Sequence, residues 1–326
     1  MRKGSTLLGV VAMLFTACAG DVSPNPVSAT RPLTPVQAAP APDAAAPAAP
    51  AELSEPVAAP IVNLANGETV PLFEEIDRAN FTNPTSITNE YLPVQPGMRY
   101  VYEGFTREDG ETIPHRLIFT VTDLTKEIDG INTVVIWDVD YSDGELVETE
   151  LAFYAQDDFG NVWRMGEYPE EWEEGVFIEA PSWIAGTHDA QAGIAMTASP
   201  LVSSTSYSQG YGPAVGFTDR AFVDAIAEST CVPVDCYTGV LVTDEFNDEE
   251  PNAHQLKYYA RGVGNVRVDW RGDDSSIEEL ELVQVIRLTA EEMAQVRDAA
   301  LLLEERAYIL DPDVYGLTPR SVGPAL

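Results

Sequence analysis

One acidic stretch has the residue types and spacing for chemistry. Asp157 and Asp158 are adjacent, Asn161 follows in a Gly-Asn turn, and Glu167 lies ten positions after Asp157. Carboxylates and an amide at a tight turn can ligate a hard cation such as calcium, and one of a carboxylate pair can act as a general acid. In a hairpin turn, Asp and Asn also serve backbone geometry alone. Tyr154, Trp163, Glu167, Trp183 and His188 would line a ligand cleft for an apolar, glycan or protein partner; as core residues the aromatics need no ligand. A second run, Asp138, Asp140, Asp143 and Glu148, resembles a calcium loop, but Asp143 stands at the sixth position, where that loop needs Gly. Alternating acids before an Asp-Gly turn also fit a solvated strand face. His115, His188 and His254 have no metal spacing. The chain carries no Gly-x-Ser-x-Gly, His-Glu-x-x-His, phosphate loop or dinucleotide fingerprint, which lowers the weight of the common hydrolases and nucleotide enzymes.

These residues sit in a β meander. Arg99–Gly104, Arg116–Asp123, Asn132–Tyr141, Glu145–Gln156 and Asn161–Glu167 alternate apolar and polar residues, with turn signals at Asp129-Gly130, Ser142-Asp143-Gly144 and 157–160. The frame Leu-x-x-Tyr-Ala…Gly-Asn-Val at Leu151 recurs at Leu256, and Val135, Ile136, Asp140 and Tyr141 match Val240, Leu241, Glu245 and Phe246 at an offset of 105. Two related meander units are therefore expected, about 98–168 and 206–288, joined by a connection over about 169–205. Within that connection 169–175, with Trp172 among four Glu, reads as an acidic loop. The second unit keeps the Gly-Asn-Val turn but has Arg261-Gly262 where the Asp pair stands, so the turn reads as structural and the Asp pair as an addition. Phe217–Glu228 fits strand and helix spacing equally. One helical turn is expected at Phe73–Asp77. Thr289-Ala-Glu-Glu292 is a capping box opening a helix over 289–308, whose stripe Met293, Val296, Ala300, Leu303 and Ala307 should lie on the sheet. The expected fold is mainly β: a large antiparallel curved sheet, barrel or two-sheet domain over 61–326, with one C-terminal helix.

The N-terminal segment 1–17 reads as a lipoprotein signal peptide. Arg2 and Lys3 precede an apolar run, Leu7–Ala17, too short to span a bilayer. It ends in Phe15-Thr-Ala-Cys18, which resembles a lipobox and implies lipidation at Cys18; Ala19 after the Cys implies an outer-membrane lipoprotein, periplasmic or surface-exposed. Residues 18–60 are Ala- and Pro-rich, too poor in large apolar residues to form a core, and read as a disordered tether. At ~3.1 Å per residue it would reach on the order of 100 Å. With Cys18 acylated, Cys231 and Cys236 remain as an even pair, expected to form a structural disulfide in an oxidising compartment. The net charge of -35, with 18 Lys and Arg against 53 Asp and Glu, excludes nucleic acid as a partner and fits a solvated acidic surface.

Pro84-Thr85, Asn89-x-Tyr-Leu-Pro93, Tyr102-Glu-Gly104, Tyr154-Ala-Gln-Asp157, Gly160-Asn-Val-Trp163 and Gly166-Glu167 resemble an uncharacterised family of secreted bacterial proteins and lipoproteins, over about residues 80–288. That resemblance implies no activity. Tyr259–Val266 is also similar to one hairpin of β-rich periplasmic lipoprotein carriers, whose curved sheets hold acyl chains. Three functions fit the sequence. The first is a membrane-tethered binding module for an apolar, glycan or protein partner. The second is a hydrolase or lyase with an acidic cleft around Asp157, Asp158 and Glu167, or using His188. The third is a structural surface lipoprotein.

Overall fold

The hairpin turns set the register of the sheet. Asp129-Gly130, Asp143-Gly144 and Glu174-Gly175 each place two successive residues at positive φ, 50° then 76–82°. This is the type I′ geometry, whose twist matches that of paired strands. The computed structural model describes residues 58–108, 110–203, 205–250, 252–272 and 276–324. The expected signal peptide, Cys18 and most of the tether lie outside the described residues.

A short hairpin, β1 (Ile61–Asn63) and β2 (Thr69–Pro71), precedes a lead-in with one 3-10 turn at Arg78–Asn80. The helical turn expected at Phe73–Asp77 is thus displaced: Asp77 is the residue that caps it, accepting from the Ala79 N–H. The first meander is β3 (Met98–Glu108), β4 (Glu111–Ile128), β5 (Ile131–Ser142), β6 (Glu145–Gln156) and β7 (Val162–Glu173). The expected acidic loop 169–175 is instead the end of β7 and its hairpin turn into β8 (Val176–Phe177). Then come β9 (Trp183–Ile184), β10 (Gln191–Met196), β11 (Tyr207–Ser208) and β12 (Gly210–Tyr211). The second meander is β13 (Arg220–Cys231), β14 (Cys236–Phe246), β15 (Ala253–Ala260), β16 (Gly264–Gly272) and β17 (Ser276–Arg287), and the chain ends with α1 (Ala290–Leu310). The stretch with both strand and helix spacing is therefore a strand.

All these strands except the β1–β2 hairpin belong to one antiparallel sheet. Its order is β11-β13-β14-β15-β16-β17-β3-β4-β5-β6-β7-β10-β12. The two meanders join where β17 pairs with β3 along their whole lengths, Arg287 opposite Met98. The outermost strands, β11 and β12, are separated in sequence only by Gln209, so the sheet curls until its edges meet and the barrel is nearly closed. Close approach at this seam requires glycine: a Cβ on Gly193 would lie 2.1 Å from the Gly210 nitrogen, and one on Gly210 would lie 2.5 Å from the Trp183 ring.

Helix α1 covers part of the outer face. Its capping box forms, and its buried stripe is Met293, Val296, Ala300, Leu303 and Ala307, with Glu304. The stripe packs on Leu124, Val135, Leu151 and Phe153 from the outer faces of β4, β5 and β6. A buried ion pair pins it: Lys126 Nζ lies 3.0 Å from Glu304 and also donates to the Tyr308 hydroxyl and the Pro319 carbonyl. Tyr315 is fully buried beside it, whereas Leu317 is exposed. Cys231 and Cys236 form the expected disulfide across the β13–β14 turn. The lead-in closes one end of the barrel. Asn89 donates to the carbonyls of Gly160 and Thr197, and the Glu90 carbonyl accepts from Gly262, so the segment spans the β6–β7 and β15–β16 turns. Tyr91 and Val94 then pack inside, against Ile136, Tyr154 and Tyr259.

Candidate functional site

Strand alternation decides which side chains enter the lumen. On β5, Val134 and Ile136 join the inner cluster while Val135 joins the outer one. The same alternation turns Asp138 and Asp140 inward, and on β6 it turns Glu148, Glu150, Ala152 and Tyr154 inward. Acids that read as a solvated strand face thus line the inside of a barrel. On β7 a bulge at Met165 changes the phase: Tyr154 faces Arg164, but Phe153 faces Gly166. The extra residue places Arg164 and Glu167 on the same face although they are three apart, and their side chains lie 3.5 Å from each other. Gly166, at φ 144°, lets β9 approach, since a Cβ there would meet the Trp183 carbonyl oxygen at 2.5 Å.

The lumen holds a partly open cavity of about 160 Å³. One part of its wall is apolar, with Leu92, Tyr100, Leu117, Phe119, Val268 and Leu280. The charged part stands beside it on the next strands, Asp140 opposite Leu117 and Asp138 opposite Phe119. Two pairs of carboxylates stand directly opposite each other on neighbouring strands, Asp138 with Glu150 and Asp140 with Glu148. Like charges so placed repel, and burial magnifies the cost. His115 contacts Asp140, while Arg164 and Lys257 have closer partners and act on Asp138 and Glu150 from a distance. Arg164 donates to the Tyr154 hydroxyl at 3.1 and 3.2 Å and pairs with Glu167. Lys257 lies 2.7 Å from Glu245, and His115 lies 2.7 Å from Asp140 and 3.5 Å from Glu278.

The carboxyls respond by holding protons. Burial pushes Glu150 up to about 7, reinforced by Asp138 and opposed by Arg164 and Lys257. Burial and the nearby Glu150 push Glu167 up to about 8, against the pull of Arg164 and of the Trp183 indole N–H, which donates to it at 2.8 Å. Asp138 is held well above the carboxylate range by burial, opposed by Arg164 and reinforced by Asp140. Glu148 is raised likewise by burial and by Glu150. Asp219, near the seam, is pushed up by burial to about 7. The Tyr154 hydroxyl rises to about 12, burial outweighing Arg164.

The residues singled out by the sequence separate into groups. Tyr154 and Glu167 are in the lumen, and Trp183 reaches Glu167 from the seam, where it stacks on Phe217 at 4.7 Å between ring centres. Trp163 belongs to the outer cluster, and its indole donates to Asp157 at 3.0 Å. Asp157 lies in the β6–β7 turn and also accepts from the backbone of Phe159 and Asn161 and from the Asn161 amide, so both its oxygens are engaged. Asp158 accepts from Thr82, and the Asn161 side-chain Oδ1 accepts from the Ala198 N–H. His188 is exposed, its ring 3.0 Å from the Asp313 carbonyl oxygen. The Asp157 turn and Glu167 therefore do not share one cleft. Among the described residues, no group of three or more His, Cys, Asp or Glu side chains is arranged to hold a metal ion. Arg164, Glu150 and the His115–Asp140 pair belong to the lumen without any motif to announce them; their signal is position on the inward face of an alternating strand, which requires knowing that the sheet closes.

No protein-family model matches the chain, and no curated protein matches it. Two solved structures are similar to part of it. One, from Bacteroides fragilis, is assigned as an exported protein with a YmcC-like fold; it is 14% identical, with a TM-score of 0.36, over 61% of this chain and 99% of that one. The other, from Parabacteroides distasonis, is assigned as a lipoprotein; it is 12% identical, with a TM-score of 0.37, over the same shares of the two chains.

Proposed function

We propose that the protein is a binding module of the bacterial cell envelope, tethered to the outer membrane through a lipid on Cys18, whose barrel lumen holds a small, partly apolar molecule. The observation that carries this reading is the luminal cavity of about 160 Å³, with an apolar wall beside a charged one. Ligand sites combine an apolar wall with a few convergent polar groups in this way. An engineered apolar cavity of about 150 Å³ takes up benzene, so the lumen suits one ring or a short alkyl segment. Glycan and whole-protein partners fit a space of this volume less well.

The test is native mass spectrometry of the mature protein purified gently from its own host, with displacement of any bound mass by toluene. A bound small molecule, lost in a Val268→Trp variant that fills the apolar half, is the expected result. Wild-type protein that carries no mass and takes up no toluene would overturn the reading. A hydrolase or lyase acting in the lumen is the second reading, favoured by two carboxyls on the cavity wall, Glu148 and Glu150, that burial holds above the usual carboxylate range. It requires turnover that Glu150→Gln abolishes.

A further inference from the structure

We propose that the polar end of the luminal ligand is a monocation, an ammonium or guanidinium group, seated among Asp138, Glu148 and Glu150. This rests on the binding reading above and names the chemistry of what is bound. The argument is a balance of charge partners. His115 faces Asp140 and Glu278, Arg164 faces Tyr154 and Glu167, and Lys257 faces Glu245. Asp138, Glu148 and Glu150 remain. Among the described residues none of the three forms a salt bridge; Arg164 and Lys257 act on Asp138 and Glu150 only as more distant charges. Glu148 and Glu150 are both more than nine-tenths buried, at 8% and 7% exposure. The Asp138 Oδ1 atom is wholly buried with no hydrogen-bond partner.

A stability argument alone does not explain this arrangement. A buried oxygen without a donor costs about 1–3 kcal/mol, and apolar residues at these positions would avoid it. All three line the same cavity, next to its apolar half. An incoming ammonium supplies three N–H donors, and a guanidinium five in a planar fork. Either one satisfies Asp138 Oδ1 and takes the place of a proton held by Glu148 or Glu150, which leaves to solvent. The apolar remainder of the molecule then lies along Phe119 and Leu280.

Three small molecules with one ring and different heads test this: benzylamine, benzyl alcohol and benzoate, measured by calorimetry on the whole protein at neutral pH. A charge-assisted hydrogen bond exceeds a neutral one by roughly 1 kcal/mol, so benzylamine should bind about fivefold more tightly than the alcohol, and benzoate most weakly. Glu150→Gln should remove the preference for the amine over the alcohol. Glu148→Gln gives an independent check should the first variant fold poorly. Equal binding of amine and alcohol would overturn the cationic head and leave the luminal module standing. Tighter binding of benzoate would overturn it in favour of Arg164 as the head-group partner. If none of the three binds, the luminal reading and the cationic head fall together.

Discussion

Raising the pH from 5 to 8 should destabilise this protein, because its luminal carboxyls are protonated in the fold. Glu150 moves from an ordinary value of 4.5 to about 7, and Glu167 from 4.5 to about 8. A carboxyl with a raised folded-state pKa contributes stability below its unfolded value and loses that contribution as pH rises through the folded value. Each unit of separation corresponds to ~1.4 kcal/mol. Between pH 5 and 8 the linkage relation gives a loss of about 2 kcal/mol for Glu150 and about 3 kcal/mol for Glu167. Each is raised in part by its neighbours, so the two do not simply add, and on the order of 4 kcal/mol is expected in all. The assay is urea denaturation followed by tryptophan fluorescence at several pH values, in moderate salt to screen the surface charge. With a slope of roughly 2–3 kcal/mol/M, the urea midpoint should fall by about 1.5 M. Glu150→Gln should reduce that fall by about half, since the amide does not titrate. Stability that is flat or rising from pH 5 to 8, or a slope the variant leaves unchanged, would refute the reasoning.

Other expectations follow from single contacts. Glu304→Ala leaves the Lys126 ammonium buried without its carboxylate and should cost about 3–5 kcal/mol in urea denaturation. Gly210→Ala drives a methyl into the Trp183 and Phe217 rings at 2.5–2.7 Å; amide hydrogen exchange in β10 and β12 should rise with little change in β4 and β5. Asp157→Asn should lower stability by about 1–3 kcal/mol through its turn hydrogen bonds, and chelator treatment of the wild type should leave the melting temperature unchanged. A drop in melting temperature that calcium restores would show instead that the Asp157 turn holds a cation.

Much of the scaffold was legible because local chemistry dictates it. The Asp-Gly turns, the capping box at Thr289 and Glu292, and the helical stripe from Met293 to Ala307 are each determined within a few residues. β13 was ambiguous for a physical reason. Its pairing with β14 shifts between Val223 and Ala225, between Ala225 and Glu228, and between Glu228 and Ser229, with Ala227 at φ 68°. The first two shifts each insert a residue into β13, which breaks the two-residue alternation and lets the pattern pass for a helix; the third inserts Gly239 into β14. The Met165 bulge likewise hid the approach of Arg164 to Glu167. Asp138 and Asp140 mislead differently: alternation shows that they share a face, but only closure of the sheet makes that face a lumen. The β17–β3 pairing that joins the two meanders is long-range and leaves no local signal.

The seam has a consequence for how the protein behaves in a crowd. β11 covers β13 at Ala221 and Arg220, so among the described residues most of the outer edge of a twelve-residue strand lacks a neighbouring strand. A flat apolar edge of that length would recruit strands from other molecules. Here the three register shifts bend the edge, and Asp224, Glu228 and the exposed residues around Ser229 give it charge and polarity. The same bulges that obscured the strand in the sequence therefore guard against aggregation. Straightening β13, for instance by deleting Ala227, would turn a protected rim into a template for fibre growth.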